Sequence, residues 1–377
     1  MSEGLKKVTI YQPRIPGYRT KFFKVLKQLG TDAGINYRII APGKINDTRN
    51  DENLDNQSVE RISTLKIKFL GRELYLFNAK KEIYESDLII SEHALHDFLA
   101  ISRLLCLNNF PLALWGHGRT YTERTSKLKE FFKKKMIRRA EWYFAYTTGV
   151  ANYVAENGKD SKKITVLNNS MDTEELEYFI AELRDTPVEE IRGELSLFSA
   201  RTAIFIGALD ETKRIDFILE TVKRVRHFVP DFELAICGDG PDRSKILGSK
   251  VGGIHYLGFG DAQLKAKLSQ IGLFILNPGR VGLLAVDSFS LSLPIITTDW
   301  KFHAPEFEYL EKNLTAIITK DSVEDYVNGI LEYLGDAKKI STMKVNCRNK
   351  RHLYSIEKMA ANFHEGVTNF MKGTQGA

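Results

Sequence analysis

The chain has 377 residues, of which 43% are hydrophobic and 27% charged, with a formal net charge of +6. This is the composition of a soluble globular protein, and the length is enough for two domains with separate cores. No apolar run of about 18 residues is present, which excludes a membrane-spanning helix. The start, MSEGLKKVTIYQP, lacks the apolar segment of a signal peptide. Three cysteines without metal-ligand spacing are predicted to be reduced core thiols, so we expect a cytosolic protein: Cys106, Cys237 and Cys347.

Short apolar strands alternate with amphipathic helices along the chain, which predicts α/β architecture. The first series contains the strand KKVTIYQP, the helix RTKFFKVLKQLG closed by Gly30, and the strands NYRIIAP, DLIISE, PLALWGHG and EWYFAYTT. A second series starts at TAIFIGAL and continues through RIDFILETVKRVRHF, FELAICGDG, IHYLGF, DAQLKAKLSQI, LFILNP and NPGRVGLLAVDSFSLSLPIITT. Two such series predict two Rossmann-like, doubly wound domains.

The predicted boundaries follow from these two series. Residues 1–175 form the first domain, the charged stretch 176–198 is a linker region, and residues 199–354 form the second domain. The final segment, 355–377, is helical and fits either domain, with packing back on the first as one arrangement. Ligands of open α/β sheets bind at the carboxyl ends of the strands, so we expect the site in a central cleft that the two domains face.

Residues 119–139 hold nine basic residues against two acidic ones, a net +7 that exceeds the excess of the whole chain. Leu128, Phe131, Phe132 and Met136 share one face of this stretch, which is therefore predicted to be a basic amphipathic helix. One interpretation is a solvated surface helix. Another is docking on an anionic membrane surface or a polyanionic acceptor. Nucleic acid is disfavoured, because no nucleic-acid motif accompanies the charge.

Loops that follow predicted strands are the candidate sites. In the second half, Gly207 ends a strand, and Lys213 and Arg214 precede the next helix, which favours a phosphate site over a solvated helix start. CGDGPDR lacks the third glycine of a dinucleotide fingerprint. We interpret it as a tight turn that approaches a ligand or a neighbouring loop, not as a nicotinamide site.

Two loops in the first half also follow strands. In LWGHGRTY, His117 lies between two glycines, which exposes its imidazole to bond a sugar hydroxyl or polarise a reacting group. The alternative is a structural histidine bonded to its own loop. In QPRIPGYRTKFF, a shaped loop presents Tyr18, Arg19 and Lys21 to an anionic ligand. His303 is a further candidate in a loop near the predicted cleft.

Taken together, these elements resemble the family 4 glycosyltransferases of the GT-B fold (glycosyl transferases group 1), over nearly the whole chain. VLNNSMD resembles the family's v-I-x-N-G-V-D element, and GALDETKRID resembles its G-R-L-x-x-x-K-G-x-D loop. CGDGPDR resembles G-x-G-P, and HYLGF resembles x-F-L-G. GRVGLLAVDSFSLSLPIITT resembles E-G-F-G-L-x-x-x-E-A-M-A-x-G-x-P-V-I-A-T. The order and spacing of the elements carry the resemblance.

The resemblance implies a UDP- or GDP-linked sugar donor bound mainly by the second domain and an acceptor bound by the first. It implies transfer with retention of anomeric configuration, with no cofactor and no metal ion. Lys213 matches the lysine that neutralises the diphosphate, and Asp287 matches the second acid of E-x7-E, which binds the ribose. His117 matches a histidine near the donor sugar. The implied donor-binding residues are Gly17, Gly207, Lys213, Arg214, Gly258, Phe259, Gly279, Arg280, Val281, Gly282, Leu283 and Asp287, and the implied acceptor-binding residues are Tyr18, Arg19 and Arg119.

The sequence departs from the family at two positions. The arginine of G-R-L is Ala208, so Arg214 or Arg280 is expected to supply the missing cation. The first glutamate of E-x7-E, which touches the donor sugar in the family, is Gly279 here. Glu306 is a candidate replacement.

We therefore predict a retaining glycosyltransferase of cell-surface polysaccharide or glycolipid synthesis, peripheral at the inner face of the cell membrane through residues 119–139. One alternative is a nucleotide-sugar-binding protein of the same fold without turnover, which Ala208 and Gly279 favour. Another is a nucleotide-sugar epimerase, which would need a fuller set of acid and base side chains. For Asp287 the alternative role is a capping or solvated aspartate.

Overall fold

The computed structural model describes residues 5–42, 59–62, 64–69, 72–77, 85–105, 110–121 and 126–375. The chain divides into two units. The first consists of Met1–Asp172 together with Ser355–Ala377, and the second of Thr173–Tyr354.

The strands are β1 (Lys6–Tyr11), β2 (Ile35–Pro42), β3 (Glu60–Ile62), β4 (Thr64–Phe69), β5 (Arg72–Phe77), β6 (Leu88–Glu92), β7 (Leu112–Gly116), β8 (Trp142–Ala145), β9 (Ile164–Val166), β10 (Thr202–Ile206), β11 (Glu233–Cys237), β12 (Ile254–Tyr256), β13 (Ile275–Leu276), β14 (Ile295–Thr298) and β15 (Ala316–Thr319). The α-helices are α1 (Thr20–Asp32), α2 (Phe98–Leu104), α3 (Lys127–Arg139), α4 (Thr148–Glu156), α5 (Glu174–Glu182), α6 (Val188–Leu195), α7 (Ile215–Phe228), α8 (Arg243–Leu247), α9 (Ala262–Ile271), α10 (Leu284–Ser290), α11 (Val323–Leu334), α12 (Ala337–Lys350) and α13 (Ile356–Gln375).

The first unit is built on a parallel sheet with the strand order β3-β2-β1-β6-β7-β8-β9. A separate antiparallel hairpin joins β4 and β5. The strands are nearly continuous apolar runs because both faces of such a sheet are covered by helices. Helix α13 packs on α1, where the ring of Phe363 lies 5.4 Å from that of Phe22 and 5.2 Å from that of Trp115. The last helix is therefore part of the core of the first unit.

The second unit has a parallel sheet with the order β12-β11-β10-β13-β14-β15. Strand β10 lies between β11 and β13, so the direction of winding changes between β10 and β13. In open α/β sheets this switch point is where ligands bind, beyond the carboxyl ends of the strands. The predicted linker region holds two helices of this unit, α5 and α6, and both contact α9.

The structure confirms the prediction of two doubly wound α/β units. Cys237 and Cys347 are buried free thiols, as predicted, whereas Cys106 lies outside the described residues. The predicted end of α1 is wrong, because the helix continues two residues beyond Gly30 to Asp32. A Cβ atom on Gly30 would lie 2.4 Å from the carbonyl oxygen of Ile35. Gly30 therefore allows close packing on β2 and does not end the helix.

The basic helix is shorter than predicted. Helix α3 begins at Lys127, where the side chain of Ser126 accepts a hydrogen bond from the backbone N–H of Lys129 and caps the helix. Residues 119–121 are not helical, and residues 122–125 of the predicted helix lie outside the described residues. Met136 is buried, while Leu128, Phe131 and Phe132 are exposed, so the predicted apolar face is divided between core and surface.

Candidate active site

Lys213 lies at the switch point of the second sheet. Gly207 follows β10 with φ +146°, and the Cε atom of Lys213 lies 3.3 Å from the position a Cβ atom on Gly207 would occupy. The absence of a side chain at 207 therefore leaves room for the stem of the lysine. Burial lowers the pKa of Lys213 to about 8, with a further lowering by Arg280 and an opposing effect of Asp210.

The loop after β13 is fixed beside this lysine. The Nζ atom of Lys213 donates a hydrogen bond to the carbonyl oxygen of Arg280, and the backbone N–H of Arg280 donates to the carbonyl of Thr212 at 2.9 Å. Arg280 is thus tied to the preceding loop in both directions. This pairing brings the predicted diphosphate residues of the two loops together.

The opposite side of the same loop is held by residues 303–304. The N–H of Val281 donates to Nδ1 of His303 at 3.0 Å, and Nε2 of His303 donates to the carbonyl of Thr298 at 2.9 Å. The N–H of Ala304 donates to the carbonyl of Val281 at 2.8 Å. Since one ring nitrogen accepts and the other donates, His303 is neutral, and burial lowers its pKa to about 4. His303 is a support of the loop.

Arg214 precedes α7 and adopts a left-handed conformation, with φ 57° and ψ 52°. Its guanidinium pairs with Asp321 at 2.5 Å and donates to the carbonyl of Pro278 at 3.1 Å. It also lies 4.4 Å from the centre of the Phe217 ring. Arg214 is therefore anchored at the switch point with part of its charge compensated.

Gly279, the position of the family's glutamate, has no space for a side chain. A Cβ atom there would lie 2.3 Å from the carbonyl oxygen of Thr212 and 2.8 Å from the Cα atom of Lys213. Backbone atoms cannot give way as a flexible side chain can. The loops after β10 and β13 therefore pack too closely at position 279 to accommodate the family's glutamate.

Glu306 lies next to this loop. Glu306 is 3% exposed, and its Oε2 atom lies 3.6 Å from the position of a Cβ atom on Gly282. Gly282 and Leu283 lie directly before α10, and both are half-buried. A carboxylate is therefore present within the loop region although position 279 lacks one.

Asp287 forms a buried ion pair. It is 5% exposed on α10, and its Oδ2 atom lies 2.9 Å from Nζ of Lys265 on α9. The alternative of a solvated or capping aspartate is wrong, because the side chain is buried and, among the described residues, accepts no hydrogen bond from a helix N–H. Its predicted contact with ribose stays a prediction.

The CGDGPDR turn approaches a neighbouring loop. A Cβ atom on Gly238 would lie 1.8 Å from the carbonyl oxygen of Gly207, and one on Gly240 would lie 2.4 Å from that of Leu209. The N–H of Gly238 also donates to the carbonyl of Gly258 at 2.7 Å. Gly258 has φ +81° with open space around it, and the neighbouring Phe259 is exposed. The turn thus supports the Gly207 loop and the segment predicted to bind the base.

In the first unit, His117 follows β7 and is exposed. Its ring packs edge-on against Tyr146, with 4.5 Å between centroids. Behind it, the N–H of Gly118 donates to the hydroxyl of Tyr143 at 3.0 Å, and that hydroxyl lies 2.9 Å from Nδ1 of His93. Burial lowers the pKa of His93 to about 3, so this chain of hydrogen bonds is uncharged. It fixes the backbone that presents His117.

The loop after β1 presents Tyr18 but not Arg19. Gly17 begins a 3-10 turn, and the Tyr18 side chain is exposed. Arg19 is buried, donates to Oδ1 of Asn169 at 2.8 Å and lies 4.8 Å from the centre of the Trp115 ring. Its contacts are those of a core residue, and its role in acceptor binding stays a prediction. Arg119 is exposed, with its guanidinium 4.8 Å from the centre of the Tyr121 ring.

Sequence reasoning missed Lys265 altogether and the support that His303 gives to Val281. Lys265 stands in an ordinary amphipathic helix, 22 residues from its partner. No local pattern pairs the two positions. The sequence predicts His303 only as a histidine in a loop, because its contacts depend on where β14 ends.

The described ranges contain neither a cluster of metal ligands nor a helix suited to span a membrane. In those ranges no three His, Cys, Asp or Glu side chains are grouped so as to hold a metal ion. Among the helices described, none has the length and apolar character needed to cross a membrane.

Comparisons with known proteins bear on the fold of the chain and on the family of the second unit. Residues 200–336 match the model of the family "Glycosyl transferases group 1", and no curated protein matches the chain. HepE from Anabaena, in complex with UDP, is 15% identical with a TM-score of 0.70, covering 96% of this chain and 99% of that one. A glycosyltransferase from Rickettsia africae is 15% identical with a TM-score of 0.72, covering 98% and 100%. Sucrose-phosphate synthase from Thermosynechococcus elongatus is 14% identical with a TM-score of 0.70, covering 98% and 100%.

At these identities the solved structures establish the fold, and the family match lies within the second unit. The resemblance predicted from the sequence is confirmed: residues 200–336 match the group 1 glycosyltransferase model, and the chain has the GT-B fold.

Proposed function

We propose that this protein transfers a sugar from a UDP- or GDP-linked donor to a glycan or lipid-linked acceptor, with retention of anomeric configuration. The observation that carries the proposal is the position of Lys213 at the switch point, bonded to the carbonyl of Arg280. A half-buried ammonium at the carboxyl ends of parallel strands is suited to a diphosphate.

The second unit binds the donor in this proposal. The UDP bound to the structurally similar HepE supports a nucleotide ligand. Lys213, with Arg214 or Arg280, neutralises the diphosphate, and the Gly282 and Leu283 backbone lies against it. Gly258 and Phe259 contact the base, and Asp287 accepts hydrogen bonds from the ribose, since a carboxylate can receive both hydroxyls of a diol.

The chemistry needs charge stabilisation more than a nucleophile. The bond between the anomeric carbon and the diphosphate breaks, and the acceptor hydroxyl attacks from the face that the diphosphate leaves. The hydroxyl proton passes to the leaving phosphate. Lys213 stabilises the negative charge that develops on that phosphate, an effect in which one fixed donor typically contributes about 10²–10³-fold in rate.

The first unit binds the acceptor. Tyr18 and Arg119 are exposed at or near the carboxyl ends of β1 and β7, and His117 lies between two glycines in the same region. In the proposal, His117 bonds the donor sugar or the attacking hydroxyl. Glu306 takes over the sugar contact of the missing glutamate, since its carboxylate lies beside Gly282.

Helix α3 is proposed to contact anionic lipids at the inner face of the cell membrane. Its outer surface combines exposed lysines with Leu128 at 64% and Phe131 at 53% exposure. Such a surface gains both electrostatic attraction to anionic lipids and burial of apolar groups. At this membrane surface the protein would bind a lipid-linked acceptor of polysaccharide or glycolipid synthesis.

The test is a donor screen that measures nucleoside-diphosphate release with and without acceptors, with chelator added to test metal independence. Lys213→Ala and Asp287→Ala are expected to lose release. Full activity of both variants would overturn the site assignment. Binding of UDP or GDP by calorimetry, without transfer or donor hydrolysis for any acceptor, would favour the alternative of a binding protein without turnover.

A further inference from the structure

The Asp287 carboxylate has a basic partner that the family resemblance does not account for. Lys265 lies in the first turn of α9, a helix capped by Asp261, whose side chain accepts from the N–H of Leu264 at 2.7 Å. From there its Nζ atom reaches Oδ2 of Asp287 at 2.9 Å. The side chains are 19% and 7% exposed, so most of the pair is removed from solvent.

The thiol of Cys237 and the backbone of Gly260 lie beside the pair. The thiol of Cys237 is packed so closely against Gly260 that a Cβ atom there would lie 1.9 Å from Sγ, and the stem of Lys265 passes 3.9 Å from the same position. Burial alone lowers the pKa of Lys265, but Asp287 outweighs it and leaves that pKa above its ordinary value. Burying a carboxylate is costly unless a cation lies beside it, and the ammonium of Lys265 is that cation for Asp287.

Only one carboxylate oxygen is used by the lysine. Within the described ranges, no other hydrogen bond or ion pair reaches the Asp287 carboxylate, so Oδ1 has no protein donor there. A carboxylate with one oxygen fixed and the other available fits a ligand hydroxyl. Lys265 also borders the turn from Gly258 to Gly260, where the base is expected, so it links the predicted base and ribose positions.

We propose that Lys265 is a positioning residue for ribose recognition: its ammonium holds Oδ2 of Asp287 and orients the carboxylate, so that Oδ1 accepts a hydrogen bond from a ribose hydroxyl of the donor. This inference rests on the proposed function, because it requires a nucleotide in the second unit. Lys265 itself does not touch the reacting atoms.

The experiment measures ribose discrimination by calorimetry on the full chain. The probes are UDP and GDP and the 2′-deoxy and 3′-deoxy analogues of whichever binds. Loss of a hydrogen bond to a charged acceptor weakens binding by about 10- to 100-fold. The unaltered protein should therefore bind one deoxy analogue more weakly than the nucleotide by this factor. Lys265→Met and Asp287→Asn should each reduce the difference in affinity between the nucleotide and this analogue to about 3-fold or less. Lys265→Arg keeps a positive charge and should retain most of the difference.

Lys267→Met is the matched control, because Lys267 lies on the same helix but pairs at 2.5 Å with Glu194. It should retain the full discrimination. If Lys265 had only a structural role, its replacement would weaken the binding of the nucleotide and of its deoxy analogue equally. The ratio of their two Kd values would then stay unchanged. If Lys265→Met does not fold, Lys265→Gln, which keeps a donor without the charge, is expected to lose the discrimination in the same way.

The outcomes separate the inference from the function. If UDP or GDP binds and Asp287→Asn loses discrimination while Lys265→Met and Lys265→Gln keep it, the positioning role is overturned and the donor site stands. If all variants keep the discrimination, both residues are excluded from ribose recognition. If neither nucleotide binds the unaltered protein, the proposed function fails together with the inference.

Discussion

The ammonium of Lys213 and the backbone carbonyl of Arg280 are joined by a hydrogen bond that links the loop after β10 to the loop after β13. The N–H of Arg280 returns a second hydrogen bond to Thr212. The lysine is therefore held before any ligand arrives. Because the ammonium is already in place, the protein does not have to rearrange when negative charge develops on a leaving diphosphate.

Replacing Lys213 is expected to affect turnover far more than folding. Lys213→Met removes the charge but keeps most of the apolar stem beside Gly207, so nucleoside-diphosphate release should fall about 10²–10³-fold. The measurement is the initial rate of release with the donor found in the screen. Lys223→Met is the control, since Lys223 is an exposed residue on α7. Similar rates for the two variants would contradict the assignment of Lys213.

The pKa of Lys213 predicts a pH dependence for the proposed donor site. Burial lowers this pKa to about 8, so the free site is charged below pH 8 and neutral above it. The Kd of the nucleoside diphosphate should therefore rise between pH 7.5 and 9.5, by up to about tenfold per pH unit above the pKa. Lys213→Arg stays charged and should remove this rise. A Kd that increases equally in both proteins would assign the effect to another group.

Restoring the family's glutamate at position 279 should not improve the enzyme. Because a Cβ atom on Gly279 would overlap the backbone at Thr212, Gly279→Ala and Gly279→Glu should each lower the free energy of unfolding by about 1–3 kcal/mol. Both should also weaken donor turnover, because the overlap displaces Lys213. Urea unfolding measures the free energy of unfolding, and the rate of nucleoside-diphosphate release measures turnover.

Gly193→Ala is the control for the glycine variants. Gly193 lies in α6 with nothing within 4 Å of its added Cβ position, and alanine there should stabilise the helix by up to about 1 kcal/mol. A Gly279→Glu protein with higher activity than the unaltered one would show that the two loops can separate at little cost.

The sequence predicted the sheets well and the side-chain partners poorly, for a physical reason. Strand and helix periodicity is local, so β10, α7 and the Gly207 to Lys213 loop follow from neighbouring residues. The pairing of Lys265 with Asp287, and of Val281 with His303, depends on which strands become neighbours in the sheet. The absence of space at Gly279 likewise arises from Thr212, which is distant in sequence. The resemblance supplied roles for Lys213 and Asp287, but not the residues that hold them.

His303 should make the stability of the second unit depend on pH. Burial, with a smaller contribution from Lys213, lowers its pKa from 6.5 to about 4, against the opposing hydrogen bond to Thr298. Because the folded pKa lies below the unfolded one, the unfolded state binds the proton first as the pH falls. The free energy of unfolding should therefore decrease between pH 6.5 and 4, by up to about 1.4 kcal/mol per pH unit.

His303→Gln should lose this contribution. Urea unfolding at pH 7, 6 and 5 should show a difference between the unaltered protein and the variant that narrows as the pH falls. His227→Gln is the control, since His227 is exposed at the end of α7. A constant difference across this pH range would mean that the imidazole of His303 is not held neutral by the fold.

Helix α3 should bind anionic vesicles through both charge and apolar contact. Leu128 and Phe131 are exposed on a helix whose lysines are partly or fully exposed. Sedimentation should show binding to vesicles with phosphatidylglycerol, little binding to phosphatidylcholine alone, and release by salt as the Debye length shortens. The double variant Leu128→Ser, Phe131→Ser should bind more weakly at low salt, because apolar burial is lost while the charge remains.

Phe228→Ser is the matched control, since Phe228 is an equally exposed aromatic residue on the second unit. It should bind as the unaltered protein does. Met136 is not a useful target, because it is buried in the first unit and its replacement would change stability. Equal binding to neutral and anionic vesicles would overturn the electrostatic contribution. Unchanged binding of the double variant would leave charge alone as the attraction, and the exposed apolar groups of α3 would then have no part in docking.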